Sequence, residues 1–359
     1  MMSTKKIRVL ICDDSALIRQ MLSEIVSADS ELEVVGTAND PFMARDMIKA
    51  LSPDVLTLDV EMPKMDGLTF LRNLMRLRPM AVIMVSSLTE KGADITLQAL
   101  EYGAIDFVAK PKLDLAGTLG NYAEEIVGKI KIAAKVKVGR LIVEGAGSET
   151  TPKLSADAVI KKSEGKVRLQ TTEKIIAIGA STGGTEAIKE VLVRLPAAMP
   201  GIVITQHIPE AFSGPFAKRM NGASELTVCE AEDGQQILPG HVYISPGNRH
   251  LAISRSGARY ICNLLDGPPV NRHKPSVDVM FRSVAQNVGV NAIGVILTGM
   301  GADGAQGMKE LKESGAPTIA QDENSSVVWG MPGESVKLGC VDRVLDLYAI
   351  PKELIKMTK

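Results

Sequence analysis

Short apolar runs alternate with segments of helical periodicity along two parts of the chain, and a polar stretch without sustained periodicity separates them. In the first part, residues 7–12, 33–36, 55–58, 81–85 and 105–108 read as strands, with helical patterns between them. That alternation predicts a five-stranded parallel sheet with helices on both faces, in the flavodoxin-like order. It resumes after residue 172, with strands at 175–178, 201–205 and 292–297 and a helix at 277–288, and predicts a second α/β domain, doubly wound and mostly parallel. Four short runs interrupt this domain, 226–230, 241–245, 250–254 and 259–264. Pro239-Gly240, Pro246-Gly247 and Ser256-Gly257 punctuate them, so hairpins are the simplest expectation. Residues 136–172 are rich in Gly, Ser, Thr, Pro and Lys and read as a mobile linker. The expected organisation is a first domain at 5–125, a final helix (119–136) and linker within 126–170, and a second domain at 171–359.

Composition narrows the class without changing this picture. The chain has 359 residues, of which 45% are hydrophobic and 23% charged, as in an ordinary globular protein. A formal net charge of −1 gives no electrostatic footprint for nucleic acid. Cys12, Cys229, Cys262 and Cys340 are scattered, with no C-x-x-C, and are expected to be buried free thiols in a reducing cytoplasm. The opening apolar run is too short for a signal peptide, and no uncharged run reaches the length of a membrane span, so direct membrane insertion is not expected.

Candidate chemistry in the second domain begins with Ser181. Gly179, Ser181 and Gly183 form G-x-S-x-G between a strand and a helix, a turn that can present a serine hydroxyl clear of the sheet. Such turns also bind phosphate. The phosphate loop requires Lys after the last glycine, where Thr185 follows Gly184, and the dinucleotide pattern requires a glycine where Ser181 stands. A serine needs a base and an orienting carboxylate to become a nucleophile. His207 follows the strand at 201–205 and Asp303 lies just past the strand at 292–297. In a parallel sheet these ends share one edge, so the three can converge there. An oxyanion could be met by N–H groups at the helix start after Ser181 or by the Gly299-Met300-Gly301 turn. His241 and His250 read as structural, and His273 as an exposed residue that could line the cleft; no metal spacing links the four histidines.

The first domain carries acidic residues at the same kind of edge. Asp13 and Asp14 follow the first strand, Asp59 the third, Ser86 the fourth and Lys110-Pro111 the fifth. Asp14 and Asp59, with a nearby backbone carbonyl and Asp13 acting through water, would suit a hydrated Mg²⁺. The metal and Lys110 would neutralise a phosphoryl group on Asp59, and the Ser86 hydroxyl would bind its oxygen.

These residues carry two resemblances. DD, D-x-E-M-P-x-M-D-G, S-S and K-P at the strand ends resemble a response-regulator receiver domain over about 120 residues. GASTGG (179–184), TQHIP (205–209), SPGNRH (245–250) and LTGMGADGAQGM (297–308) resemble the catalytic domain of the chemotaxis protein-glutamate methylesterases, the CheB family. The first resemblance implies phosphorylation at Asp59, Mg²⁺ at Asp14, Asp59 and the Glu61 carbonyl, and a switch pair at Ser86 and Phe107. Phe107 lacks the hydroxyl that a tyrosine-based switch would use. The second implies a triad of Ser181, His207 and Asp303, the Met300 N–H as oxyanion donor, and Thr182 lining the site, with no cofactor in that domain. This chain order differs from that of an α/β-hydrolase, where the acid precedes the histidine. The implied activity is hydrolysis of glutamyl methyl esters on chemotaxis receptors through an acyl-enzyme, with deamidation of receptor glutamines as a second reaction. The implied phosphodonor is the chemotaxis histidine kinase, and the unphosphorylated receiver is expected to restrain the esterase. A receiver joined to a binding or scaffold module is the competing class, but it would not need Ser181, His207 and Asp303 to converge.

Overall fold

The computed structural model describes residues 5–63, 65–87, 89–110, 119–136, 154–162 and 173–359, and the chain forms two compact units that divide after residue 141. Pro111 and most of the expected linker lie outside the described residues.

The first unit is a five-stranded sheet in the order β2-β1-β3-β4-β5, formed by β1 (Ile7–Cys12), β2 (Leu32–Ala38), β3 (Val55–Asp59), β4 (Ala81–Ser86) and β5 (Asp106–Ala109). Every pairing is parallel. β3 and β4 are buried along their whole length, which is why they read as continuous apolar runs rather than alternating ones. The helices are α1 (Ala16–Ala28), α2 (Pro41–Leu51), α3 (Gly67–Leu77), α4 (Glu90–Glu101) and α5 (Leu119–Ala133). Ser15, Asp40, Asp66 and Thr89 cap the first four, each accepting a hydrogen bond from an otherwise unpaired N–H of the first turn. α5 buries Ile126, Ile130 and Ala133.

The second unit holds a seven-stranded sheet in the order β14-β13-β12-β6-β7-β9-β8. Its strands are β6 (Ile175–Ala180), β7 (Gly201–Gln206), β8 (Thr227–Glu230), β9 (His241–Ile244), β12 (Ala292–Ile296), β13 (Thr318–Gln321) and β14 (Arg343–Leu345), all paired in parallel. β10 (His250–Ser256) and β11 (Arg259–Leu265) form a separate antiparallel hairpin. The expectation of hairpins throughout 226–264 is therefore corrected for β8 and β9. β8 and β9 are neighbours but pair in parallel, Thr227 to Glu230 against His241 to Ile244, and β9 pairs on its other side with Ile202 to Ile204 of β7; a short turn-bounded run reveals only its local punctuation. Helices α6 (Gly184–Leu192), α7 (Glu210–Ala223), α8 (Val277–Asn287) and α9 (Ala305–Glu313) complete the surroundings of the site.

A second correction concerns the linker. Residues 154–162 pack on the second unit rather than standing off it. Ala156 lies at the start of a single 3-10 turn, Ala156–Ala158, and is buried with Val270 and Val279, while Val159 and Ile160 cover the same cluster. Arg282 of α8, itself buried, binds Asp157 Oδ1 at 2.8 Å and the Ile160 carbonyl at 2.9 Å.

Candidate active site

The sheet order explains how three distant residues meet. From β6 the chain builds outward through β7, β9 and β8 on one side and through β12, β13 and β14 on the other, so the order reverses between β6 and β12. Ligand sites form at such a reversal, beyond the carboxyl ends of the strands. Ser181 follows β6, His207 follows β7, and Asp303 lies past β12.

Close backbone approach sets Ser181 in place. Its N–H donates to the Thr298 carbonyl at 3.0 Å, and its carbonyl accepts from Gly184 N at 2.7 Å, which turns the chain into α6. Gly183 adopts φ 75° at this turn, a conformation that favours glycine. A Cβ on Gly299 would lie 2.9 Å from Ser181 Cβ and 3.1 Å from Ser181 N, so that position also requires glycine. Gln206 Nε2 donates to the Ser181 carbonyl at 2.9 Å and fixes the turn against β7.

His207 Nδ1 lies 3.1 Å from Ser181 Oγ, and His207 Nε2 lies 2.8 Å from Asp303 Oδ2. Because a carboxylate can only accept, Nε2 carries the proton and Nδ1 presents its lone pair to the serine hydroxyl. The ring nitrogens are thus used in the opposite sense from the serine-protease template. Thr182 is buried, with its carbonyl accepting from Thr298 Oγ1 at 3.0 Å, and Met300 is half-buried beside Gly299.

Asp303 is buried and held from several directions. Asn271 Nδ2 and Ser276 Oγ each donate to Oδ1 at 2.8 Å, Val277 N donates to Oδ2 at 2.7 Å, and Asp278 N reaches Oδ1 at 3.3 Å. Burial alone would raise its pKa, but the hydrogen bond and charge of His207, the charge of His273 and the Asn271 amide hold it well below the usual carboxylate range. Neighbouring Asp278 is pushed up, by burial first and then by the Asp303 charge, against the pull of hydrogen bonds from Gly307 N and Asn271. His273, expected to be exposed, is half-buried and stacks on His207, the ring centroids 3.7 Å apart and the planes 13° from parallel. His250 is fully buried: its Nε2 pairs with the Pro268 carbonyl and its Nδ1 accepts from Ser276 N, each at 3.1 Å.

The first unit gathers a different cluster. Asp13, Asp14 and Asp59 place carboxylate oxygens within 4.8 Å of one another; Asp13 and Asp59 are buried and Asp14 is exposed. Lys110 Nζ sits 2.8 Å from Asp59 Oδ2 and 3.0 Å from Asp13 Oδ2, and those two oxygens have no hydrogen-bond donor besides it among the described residues. Burial pushes Asp59 up to about 6 despite the Lys110 contact, with Asp13 adding to the rise. Burial would lower Lys110, yet its contacts with Asp59 and Asp13 outweigh that and raise it. A donor-poor carboxylate cluster of this kind fits an oxygen-ligated Mg²⁺. Glu61 is exposed, its N–H directed at Asp59 Oδ1 at 3.3 Å. Ser86 Oγ faces the carbonyls of Ser87 and Gly92 at 3.3 and 3.4 Å. Phe107 is buried in β5 with the Lys129 ammonium 5.3 Å from its ring centroid.

Comparison with known proteins decides the family. Residues 176–354 match the family described as CheB methylesterase, and residues 9–116 match the response regulator receiver domain. A protein of Hydrogenovibrio crunogenus named protein-glutamate methylesterase/protein-glutamine glutaminase is 59% identical, the match covering 99% of each chain. One of Geobacter metallireducens with that name, numbered 1, is 57% identical over 98% of this chain and 96% of its own. The crystal structure of the Thermotoga maritima CheB methylesterase catalytic domain superposes with a TM-score of 0.51 at 39% identity, covering 52% of this chain and 100% of that one. The chain belongs to the CheB methylesterase family.

In this family member the sequence motifs point to the residues that would react, and they pass over those that hold them. Asn271 and Ser276 donate side-chain hydrogen bonds to Asp303 from the loop before α8, Asp278 donates its backbone N–H from the first turn of α8, and nothing periodic marks that loop. The available signal was the density of polar residues in NRHKPS (271–276) immediately before α8. Among the described residues no helix is long and apolar enough to cross a membrane.

Proposed function

We propose that the chain is a phosphorylation-regulated protein-glutamate methylesterase of the cytoplasm, hydrolysing glutamyl methyl esters on methyl-accepting chemotaxis receptors and deamidating receptor glutamines. The observation that carries this reading is the hydrogen-bond relay from Ser181 through His207 to Asp303, at 3.1 and 2.8 Å. Relatives over nearly the full length bear both activities in their names.

His207 Nδ1 takes the Ser181 proton as Oγ attacks the ester carbonyl. Asp303, held ionised, stabilises the imidazolium that forms and keeps the ring in the tautomer that accepts at Nδ1. The tetrahedral oxyanion is met by backbone N–H groups at Met300 and at the turn into α6, where one lost donor costs about 100- to 1,000-fold in rate. The imidazolium protonates the departing methoxide, methanol leaves, and the glutamyl carbonyl remains bonded to Ser181. Water, deprotonated by His207, then releases glutamate; from a glutamine side chain the first leaving group is ammonia.

In the receiver unit, Asp59 accepts the phosphoryl group from the chemotaxis histidine kinase. Asp14, Asp59 and the Glu61 carbonyl would hold Mg²⁺, with Asp13 acting through water, and the ion would neutralise charge that the buried aspartates cannot tolerate beside a phosphoryl group. Ser86 and Lys110 contact the phosphoryl oxygens at the ends of β4 and β5, which flank α4. With Phe107 they bias the α4 surface between a restraining and a released state.

Methanol release from methylated receptor tests the reading. Ser181→Ala and His207→Ala each remove nearly all activity, and Asp303→Asn leaves a measurable remainder. A Ser181→Ala protein that retained more than about a tenth of the rate would overturn the nucleophile, since triad losses are typically thousands-fold.

A further inference from the structure

The acid of the proposed triad is held from behind by a turn, and the turn is held by a strap. Val270 and His273 close the turn by exchanging backbone hydrogen bonds at 3.0 and 2.8 Å. Within it Asn271 and Arg272 adopt φ of 50° and 72°, a region little used by residues other than glycine. Such conformations persist where surrounding structure over-determines them. Residues 154–162 supply that structure. The Leu154 carbonyl accepts from Asn271 N at 2.9 Å. Ala156, Val159 and Ile160 pack on Val270 and Val279. Arg282 ties Asp157 and the Ile160 carbonyl to α8, and Gln286 Nε2 donates to the Lys161 carbonyl at 2.9 Å. The turn so fixed points the Asn271 amide at Asp303 and Asp278, at 2.8 and 2.7 Å, and lays the His273 ring on His207.

We propose that residues 154–162 are a positioning element of the esterase, fixing Asn271 and His273 and through them the orientation of Asp303 and of the His207 ring. The inference rests on the triad reading above. Its physical basis is exclusion as well as geometry. A pocket of about 300 Å³ lined by Ser155, Asp157, Asn271, Asp278, Arg282 and Glu310 lies against the Asp278 carboxyl, with the strap as one wall. With the strap displaced, water enters and competes for the Asn271 amide and both carboxylates. Losing the Asn271 donor frees Asp303 Oδ1, so the carboxylate no longer holds the His207 ring at the angle that faces Ser181. The other ionisable groups around this cluster are His273, His250, Lys274, Asp278, Glu310 and Arg282.

The test uses the full chain and a small soluble carboxylic ester, with rates divided by the number of sites titrated with a covalent serine-directed probe. Three variants are compared: residues 154–162 replaced by a Gly-Ser segment of equal length, Asn271→Ala, and the two combined. Each single change is expected to lower kcat about tenfold, since small misplacements of catalytic groups have effects of this order or larger. KM stays within about twofold, so the loss falls on kcat per titrated site, a split that simple loss of folded protein does not produce. The combination is no slower than either change alone, because both remove one interaction chain. Wild-type kcat in the strap replacement, or a combined loss equal to the product of the two, overturns the proposal. Should the replacement fail to fold, Ala156→Glu, which puts a charge under the strap, is read by the same criteria. Activity surviving in Ser181→Ala would instead bring down the triad reading, and this inference with it.

Discussion

The two units build their sites at the same place, the carboxyl edge of a parallel sheet, and treat buried carboxylates in opposite ways. In the catalytic unit Asp303 is surrounded by donors from Asn271, Ser276, Val277, Asp278 and His207, and it is held ionised. In the receiver, Asp59 and Asp13 share a single ammonium, Lys110, and burial raises Asp59 to about 6. A site that must keep one charge in one place is fully furnished by the protein. The receiver cluster, where we propose that a cation and a phosphoryl group bind, is left short of donors, at a cost in stability.

The largest effect that could break this contrast is all-or-none. A small-molecule phosphodonor with Mg²⁺ labels the wild type once, and Asp59→Asn or chelation of the metal abolishes labelling. Full labelling of Asp59→Asn would move the acceptor elsewhere. Removing the buried charge should also raise the melting temperature of the receiver, whereas Asp303→Asn, which disturbs a satisfied network, should lower that of the catalytic unit. Calorimetry of the full chain distinguishes the two signs.

Next in size is Gly299→Ala. Its new Cβ would meet Ser181 at 2.9 Å and Met331 Sδ at 2.3 Å, and displacing Ser181, the proposed nucleophile, by about 1 Å costs about 100-fold in kcat. Phosphorylation of Asp59 is unchanged in this variant. A loss in both functions would mean that the substitution damages more than the site it touches.

The smallest effect concerns His250. Burial lowers its pKa from the ordinary 6.5, with Lys274 adding to the fall and the Pro268 carbonyl and Asp303 opposing it. The unfolded chain therefore binds more protons than the folded one below 6.5. The stability contributed by neutral His250 is complete above that pH and is lost as pH falls from there towards the lower folded-state value. In His250→Asn, which keeps an acceptor for Ser276 N and cannot titrate, the slope of melting temperature against pH is flatter across this window. An unchanged slope would assign the acid sensitivity to another group.

How much of this was legible in the sequence follows from how each residue is placed. Ser181 and His207 stand directly after apolar runs and Asp303 ends the short glycine-rich turn that follows a third, so their arrival at one sheet edge could be read from the order of those runs. The partners of Asp303 could not: Asn271 is ordered by a turn whose shape depends on residues more than a hundred positions earlier, and Ser276 and Asp278 by where α8 begins. The strap was hidden for a related reason. Its apolar side chains, Ala156, Val159 and Ile160, make one turn's worth of helical stripe, too short to stand out from polar flanks. β8 and β9 show the same limit, since a strand of a parallel sheet and one arm of a hairpin have the same local pattern and differ only in the direction and identity of the partner.

The backbone amides of Val277 and Asp278 have a consequence for how this enzyme can vary. Both donate to Asp303 through main-chain atoms that every amino acid except proline possesses, so inheritance cannot easily delete them. Under the proposed mechanism, lineages under relaxed selection should lose activity through changes at Ser181 and His207, while the seat of Asp303 outlasts its use. A degenerate copy of this unit, with its nucleophile gone, would still carry a carboxylate locked in an ionised pocket. That pocket would be ready to be recruited for the binding of a cation or a protonated base.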